Sequence, residues 1–233
     1  MSQNTVCFCD NTLVMKNSHP IEDKILTQIR GHGRGIVVTA SDFLALGTWP
    51  AVRQALSRLS RQGVIRRLGV SLYHYPRINE KLGGELAPAA DVVAAAIARK
   101  TDSRIVASGA LAANVLGLST QVPAKMVYLT NGSSRTITAG PHILIFRHVS
   151  PRRMAAKGKI SAIVFEALRY LRAQNITEGV IVKLKRNLPA NAKTELKRDL
   201  PHAAGWMRPY IQQIVAEDIL QGLKEVEQRI NGS

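Results

Sequence analysis

The segment TWPAVRQALSRLSRQG carries side chains whose types and spacing suit the recognition of a polyanion. Arg53 can offer paired donors to guanine O6 and N7, and Gln54 can present a donor and an acceptor to adenine N6 and N7. Arg58 and Arg61, further along, suit phosphate neutralisation, with Ser57 on the same face. Thr48 and Trp49 stand where a helix start would turn backbone N–H groups and a hydroxyl toward a phosphate. Stepping about 100° per residue from Val52 places Ala55, Leu56 and Leu59 on one stripe and Gln54, Ser57, Arg58 and Arg61 opposite, with Arg53 at the flank. A solvated helix face is the plain alternative. Against it stand the short Gly47-Thr48 turn before the helix, the lack of an acidic residue on the polar face, and the basic segment that follows, with Arg66, Arg67 and His74.

The surrounding pattern supplies elements to position this helix. Ile21, Ile25, Leu26 and Ile29 recur at helical spacing and stop at Gly31-His32-Gly33-Arg34-Gly35. Ile36-Val37-Val38 reads as a strand. Thr39 or Ser41 is expected to cap a second helix carrying Phe43, Leu44 and Leu46 and ended by Gly47. Thr48 caps the third, with Pro50 in its first turn, where the missing N–H costs nothing, and Gly63 at its end. Residues 64–68 and 72–75 then read as a hairpin closed by Pro76. Helix, strand, helix, turn, helix and hairpin is the order of a winged helix-turn-helix. Leu72, Tyr73 and Tyr75 are assigned to its core.

Gly83-Gly84 and Ala87-Pro88-Ala89-Ala90 read as a linker. Beyond it the pattern predicts a helix from Asp91 to Lys100, a short strand at Ile105-Val106 and a helix from Gly109 to Leu116. Strands follow at Lys125–Thr130, Arg135–Thr138 and His142–His148, the first two joined by an Asn131-Gly132 hairpin. Helices close the chain at Ser161–Arg172, Glu178–Leu188, Asn191–Leu200 and from about Pro209 to Ile230. The expected fold class is α+β: a winged helix-turn-helix at residues 21–82, after a flexible tail at 1–20, and a larger mixed α/β domain ending in helices at 88–231.

Charge dominates the composition. The chain has 32 Lys and Arg against 16 Asp and Glu, a formal net charge of +16, and such self-repulsion is best explained by a polyanionic partner. From Arg147 to Arg198 the sequence holds 13 basic and 3 acidic residues. Arg152, Arg153, Lys157 and Lys159 form one cluster there, and Lys183, Lys185 and Arg186 another. A second DNA contact, a dock for an acidic protein and plain solubility all remain open for these. Aromatic residues make up 5% of the chain, too few for an RNA-stacking platform.

Catalytic signatures are missing. Gly158-Lys159 lacks the upstream glycine of a phosphate loop, because Arg153 stands five residues before Gly158. Gly132-Ser133 is followed by no Asp-x-Asp pair, and Asp91, Asp102, Glu166 and Glu178 are scattered singly. No two histidines stand at i, i+4. Cys7 and Cys9 lack the second pair that a tetrahedral zinc site needs. The expectation is a protein that is not an enzyme, uses no metal or cofactor, and works in the cytoplasm on the nucleoid. No apolar run reaches about 18 residues, so no membrane partner is expected.

The stretch GRGIVVTASDFLALGTWPAVRQALSRLSRQGVIRRLGVSLYHYPR, with SGALAANVLGLSTQVPAKMVYLTNG, FRHVSPRR and WMRP, resembles the AbiEi-like antitoxins of type IV toxin–antitoxin and abortive-infection (phage-defence) systems. The resemblance runs from about Ile21 to Tyr210. It implies a winged-helix transcriptional repressor of its own promoter repeats, with Arg53, Gln54, Ser57, Arg58, Arg66 and Arg67 as operator contacts. It further implies a larger domain with antitoxic activity against a nucleotidyltransferase-like toxin encoded alongside, without requiring direct contact between the two. An antitoxin acting mainly through that larger domain, with DNA binding secondary, is the alternative.

Overall fold

The computed structural model describes residues 20–216 apart from residue 83. The rest of the expected tail, with Cys7 and Cys9, and the last residues of the expected C-terminal helix lie outside the described residues. The class is α+β, with helices and, among the described residues, three small sheets.

The first unit is built on α1 (Pro20–Gly31) and α2 (Trp49–Arg61). Ile25 and Ile29 of α1 are fully buried, as are Val52 and Leu56 of α2. Between the helices run β1 (Val37–Thr39) and a single 3-10 turn, Ala40–Phe43. That turn replaces the expected second helix. The Asp42 carboxylate accepts the Thr39 N–H at 2.8 Å, fixing Thr39 as the cap, and the next turn leaves Leu44 exposed rather than inward. A hairpin of β2 (Arg66–Gly69) and β3 (Leu72–His74) completes an antiparallel sheet in the order β1-β3-β2.

The presumed linker is structured. Gly84–Leu86 forms β5, paired antiparallel with β4 (Arg77–Asn79). The Pro88 carbonyl accepts a 2.7 Å hydrogen bond from His142. Backbone hydrogen bonding thus runs through residues that glycine and alanine content alone would leave free.

The larger unit contains a four-stranded sheet in the order β6-β7-β9-β8: β6 (Ile105–Ala107), β7 (Lys125–Thr130), β8 (Arg135–Ala139) and β9 (His142–His148). Asn131-Gly132 does not close a hairpin. β7 pairs parallel with β9, and β8 lies beyond β9 at the sheet edge. The positive φ that a tight hairpin requires is found instead at Gly140, φ +58°, between β8 and β9. Asn131 accepts the Arg104 N–H at 2.8 Å, and the Gly132 carbonyl accepts from the His148 ring at 3.0 Å. These long-range partners outweigh the local turn preference. Around the sheet pack α3 (Ala90–Lys100), α4 (Ala110–Val115), α5 (Lys159–Leu171), α6 (Glu178–Asn187), α7 (Ala190–Asp199) and α8 (Arg208–Val215). Residues 161–168 of α5 are all buried, so this helix is the centre of the core.

The two units share a packed boundary. Strand alternation puts Val38 and Tyr73 on the face toward α1 and α2, and Val37 and Leu72 on the face that joins the larger core. Arg99 of α3 donates to the Val37 carbonyl at 2.9 Å and contacts Asp42 at 3.2 Å. The larger unit therefore covers the back of the small sheet and leaves the outer face of α2 open.

Candidate nucleic-acid interface

Helix α2 presents the two faces its sequence predicts. Val52, Ala55, Leu56 and Leu59 are buried, whereas Arg53, Gln54 and Arg61 are exposed and Ser57 and Arg58 half-buried. Thr48 is the N-cap, but its hydroxyl makes no capping bond, so the first-turn N–H groups at this end are not closed off by it. Pro50 sits in that first turn. At the other end, Gln62 donates to Glu22 of α1 at 3.0 Å, and Gly63 turns the chain at φ +73°. Arg58 and Arg61 lie in the last turn, where the helix dipole favours cations.

The hairpin supplies the second wall. Arg67 pairs with Tyr73, which pairs with Val38, so all three share the α2 side of the sheet. Its Nε donates to the Gly69 carbonyl at 3.3 Å, which steers the guanidinium along the hairpin. Trp49, Arg53, Gln54, Ser57, Arg58, Arg61 and Arg67 thereby line one open groove of about 450 Å3. Its lining includes no acidic side chain. Val70 at the hairpin tip is 80% exposed beside it. The tip itself is held by Lys100, whose ammonium donates to the Val70 carbonyl at 3.1 Å.

Two expected members stand elsewhere. Arg66 pairs with His74 on the opposite sheet face, so it is exposed but does not line the groove. His74 is buried, 1% exposed, and is not a surface contact. Burial holds its pKa below the ordinary histidine value, with Glu85 opposing and Arg66 adding to that shift. Tyr73 is buried as expected yet borders the groove, and Tyr75 lies under the Arg34 guanidinium at 4.9 Å.

The basic residues of the larger unit separate into three places. Arg152 and Arg153 border a recess of about 470 Å3 with Arg169, His202 and Arg208. Arg153 is committed there: it donates to the buried Glu166 carboxylate at 2.8 and 3.1 Å. Arg169 lies 3.4 Å from the same carboxylate. Lys157 and Lys159 border a different cavity, and Lys183, Lys185 and Arg186 belong to α6. Arg169, His202 and Arg208 escaped the sequence reading because they come from distant segments. Helical spacing of Arg169 from Glu166 was the one available signal.

Gly158 does begin a helix, α5, but that helix start already holds a carboxylate. Asp199 accepts the Gly158 N–H at 2.7 Å. Burial pushes the Asp199 pKa up, yet the backbone amides of Gly158 and Lys157, with the Ser161 hydroxyl and the Arg198 charge nearby, bring it below the ordinary value. Among the described residues no three His, Cys, Asp or Glu side chains come together as a metal site, and no helix is long and apolar enough to cross a membrane.

No curated protein matches the chain. Residues 24–196, which include the groove, the sheet behind it and most of the larger unit, match the model of DUF6088, a family of unknown function. The match covers well over half of the 233 residues, and the chain belongs to that family.

Proposed function

We propose that this protein is a double-stranded-DNA-binding repressor that acts on repeats in its own promoter. In this reading the N-terminal unit is a winged helix-turn-helix: α2 enters the major groove, and the β2–β3 hairpin lies along the adjacent backbone. The observation that carries the reading is the groove where Arg53, Gln54, Ser57, Arg58, Arg61 and Arg67 converge without an acidic neighbour. Its openness matters equally, because the larger unit packs on the other face of the sheet. Arg53 and Gln54 read bases; Arg58, Arg61 and Arg67 neutralise phosphates; Thr48 and Trp49 meet a phosphate at the helix start.

The resemblance to AbiEi-like antitoxins extends this to a role in a type IV toxin–antitoxin operon, opposite a nucleotidyltransferase-like toxin. Footprinting the protein on the region upstream of its own reading frame tests the proposal. Protection of paired repeats, lost when Arg53 and Gln54 are both changed to Ala, is the expected result. Protection that ignores those changes would remove α2 as the reading element.

A second reading, an antitoxin acting chiefly through the larger unit, is favoured by the recess that Arg152, Arg169, His202 and Arg208 border. It predicts that toxin neutralisation in cells survives the Arg53, Gln54 double change and fails when Arg152 and Arg208 become Ala.

A further inference from the structure

A cavity of about 510 Å3 opens in the larger unit. Its size is within the roughly 300–1,000 Å3 range of small-molecule sites. Ala107, Leu111, Tyr128 and Ile163 line its apolar part, while Lys157 and Lys159, with Arg104, are the basic residues on its wall. Neither ammonium has an ion pair among the described residues. The one acidic group on the wall, Asp91, does not balance the two lysines. Burial, and secondarily Asp91, pushes the Tyr128 phenol up to about 12, so its hydroxyl stays a neutral donor. A largely apolar wall bearing basic residues suits an apolar body carrying a single anionic head.

The cavity also adjoins the DNA-facing unit through one helix. Ala90, Asp91 and Ala95 of α3 line it. The other end of α3 carries Arg99, bonded to the Val37 carbonyl and Asp42, and Lys100, bonded to the hairpin tip. An occupant that shifts α3 displaces both the 3-10 turn before α2 and the hairpin beside it.

We propose that this cavity binds a small amphipathic anion, an aliphatic or aromatic carboxylate or sulfonate, and that α3 relays its occupancy to the groove. The relay's effect on DNA rests on the reading above; the binding site does not. The test uses the full chain with decanoate and the fluorescent probe anilinonaphthalene sulfonate, and decanol as a neutral control. Saturable one-to-one binding of both anions is expected. Changing Lys157 and Lys159 to Ala should weaken decanoate about tenfold, the equivalent of one charge-assisted contact, and leave decanol unchanged. Ala95→Phe, at an exposed position of α3 that lines the cavity, should obstruct it and weaken binding of both anions while far-UV dichroism and the melting temperature hold. Without DNA present, decanoate should change amide exchange in 37–39 and 72–74 of the wild type, and less at the same concentration in Ala95→Phe. Binding that Ala95→Phe does not weaken, or that ignores the lysines, overturns the site. Unchanged exchange overturns the relay. A chain that binds decanoate and alters exchange but ignores its promoter would uphold this inference and remove only the DNA reading.

Discussion

Arg67 shares its sheet face with Val38 and Tyr73, so its guanidinium borders the groove, whereas the adjacent Arg66 pairs with His74 on the other side. The pair makes an internal control, since both are exposed arginines in one strand. Arg67→Ala should weaken binding to every duplex and reduce the magnitude of the salt slope by about one unit, the loss of one phosphate contact. Arg66→Ala should leave affinity and slope nearly unchanged; equal effects from the two would show that strand alternation does not decide the contact. Arg53→Ala should behave differently again. It should cost about 1–3 kcal/mol on the cognate site and much less on random DNA, as competition gel shifts can measure. A uniform loss would assign Arg53 to phosphate. The two faces of α2 were legible because helical period is strong over thirteen residues. The different fates of Arg66 and Arg67 were within reach of the two-residue strand period but needed the pairing register to fix which arginine faces α2. The burial of His74 carried no such signal, because β3 is covered on both faces and its alternation is hidden.

At the scale of elements, α5 holds the larger core together and Asp199 holds its start. Asp199→Ala leaves the Gly158 N–H without its partner in a buried place and should cost about 1–2 kcal/mol, the usual range for a lost cap. The sign of its pH dependence follows from the depressed pKa. The contribution is complete above the ordinary carboxylate value of 3.8 and is lost as pH falls below it toward the folded value. Urea titrations at pH about 7 and about 3 should therefore show a large gap between wild type and variant at the first and a smaller one at the second. A gap that grows on acidification would contradict the assignment. Secondary structure was readable wherever a long period ran, as in α1, α2, α3 and α5. It failed where tertiary partners decided: the second helix shrank to one turn around Asp42, Asn131-Gly132 gave its groups to Arg104 and His148, and Gly84, expected in a linker, begins a strand.

Across the whole molecule, the small sheet is packed from both sides, with Val37 and Leu72 in the larger core and Val38 and Tyr73 in the smaller one. Stability should be shared accordingly. The chain has two tryptophans, Trp49 in the first unit and Trp206 in the second. Single-tryptophan variants should report coincident urea midpoints, and Leu72→Ala should lower both together by about 2–4 kcal/mol. Separate midpoints would mean two independently folding units. This shared packing also leaves the α2 groove facing solvent, and the net charge of +16 supplies attraction to any duplex that approaches it. Repression at one promoter requires that this attraction become specific. The deciding measurement is a fluorescence-anisotropy titration of the full chain against its own upstream region and against a scrambled duplex of equal length, at several salt concentrations. The expected result is binding at least about a thousandfold tighter on the native sequence, with the difference persisting as salt weakens both. Equal affinity for the two duplexes at every salt concentration would contradict it.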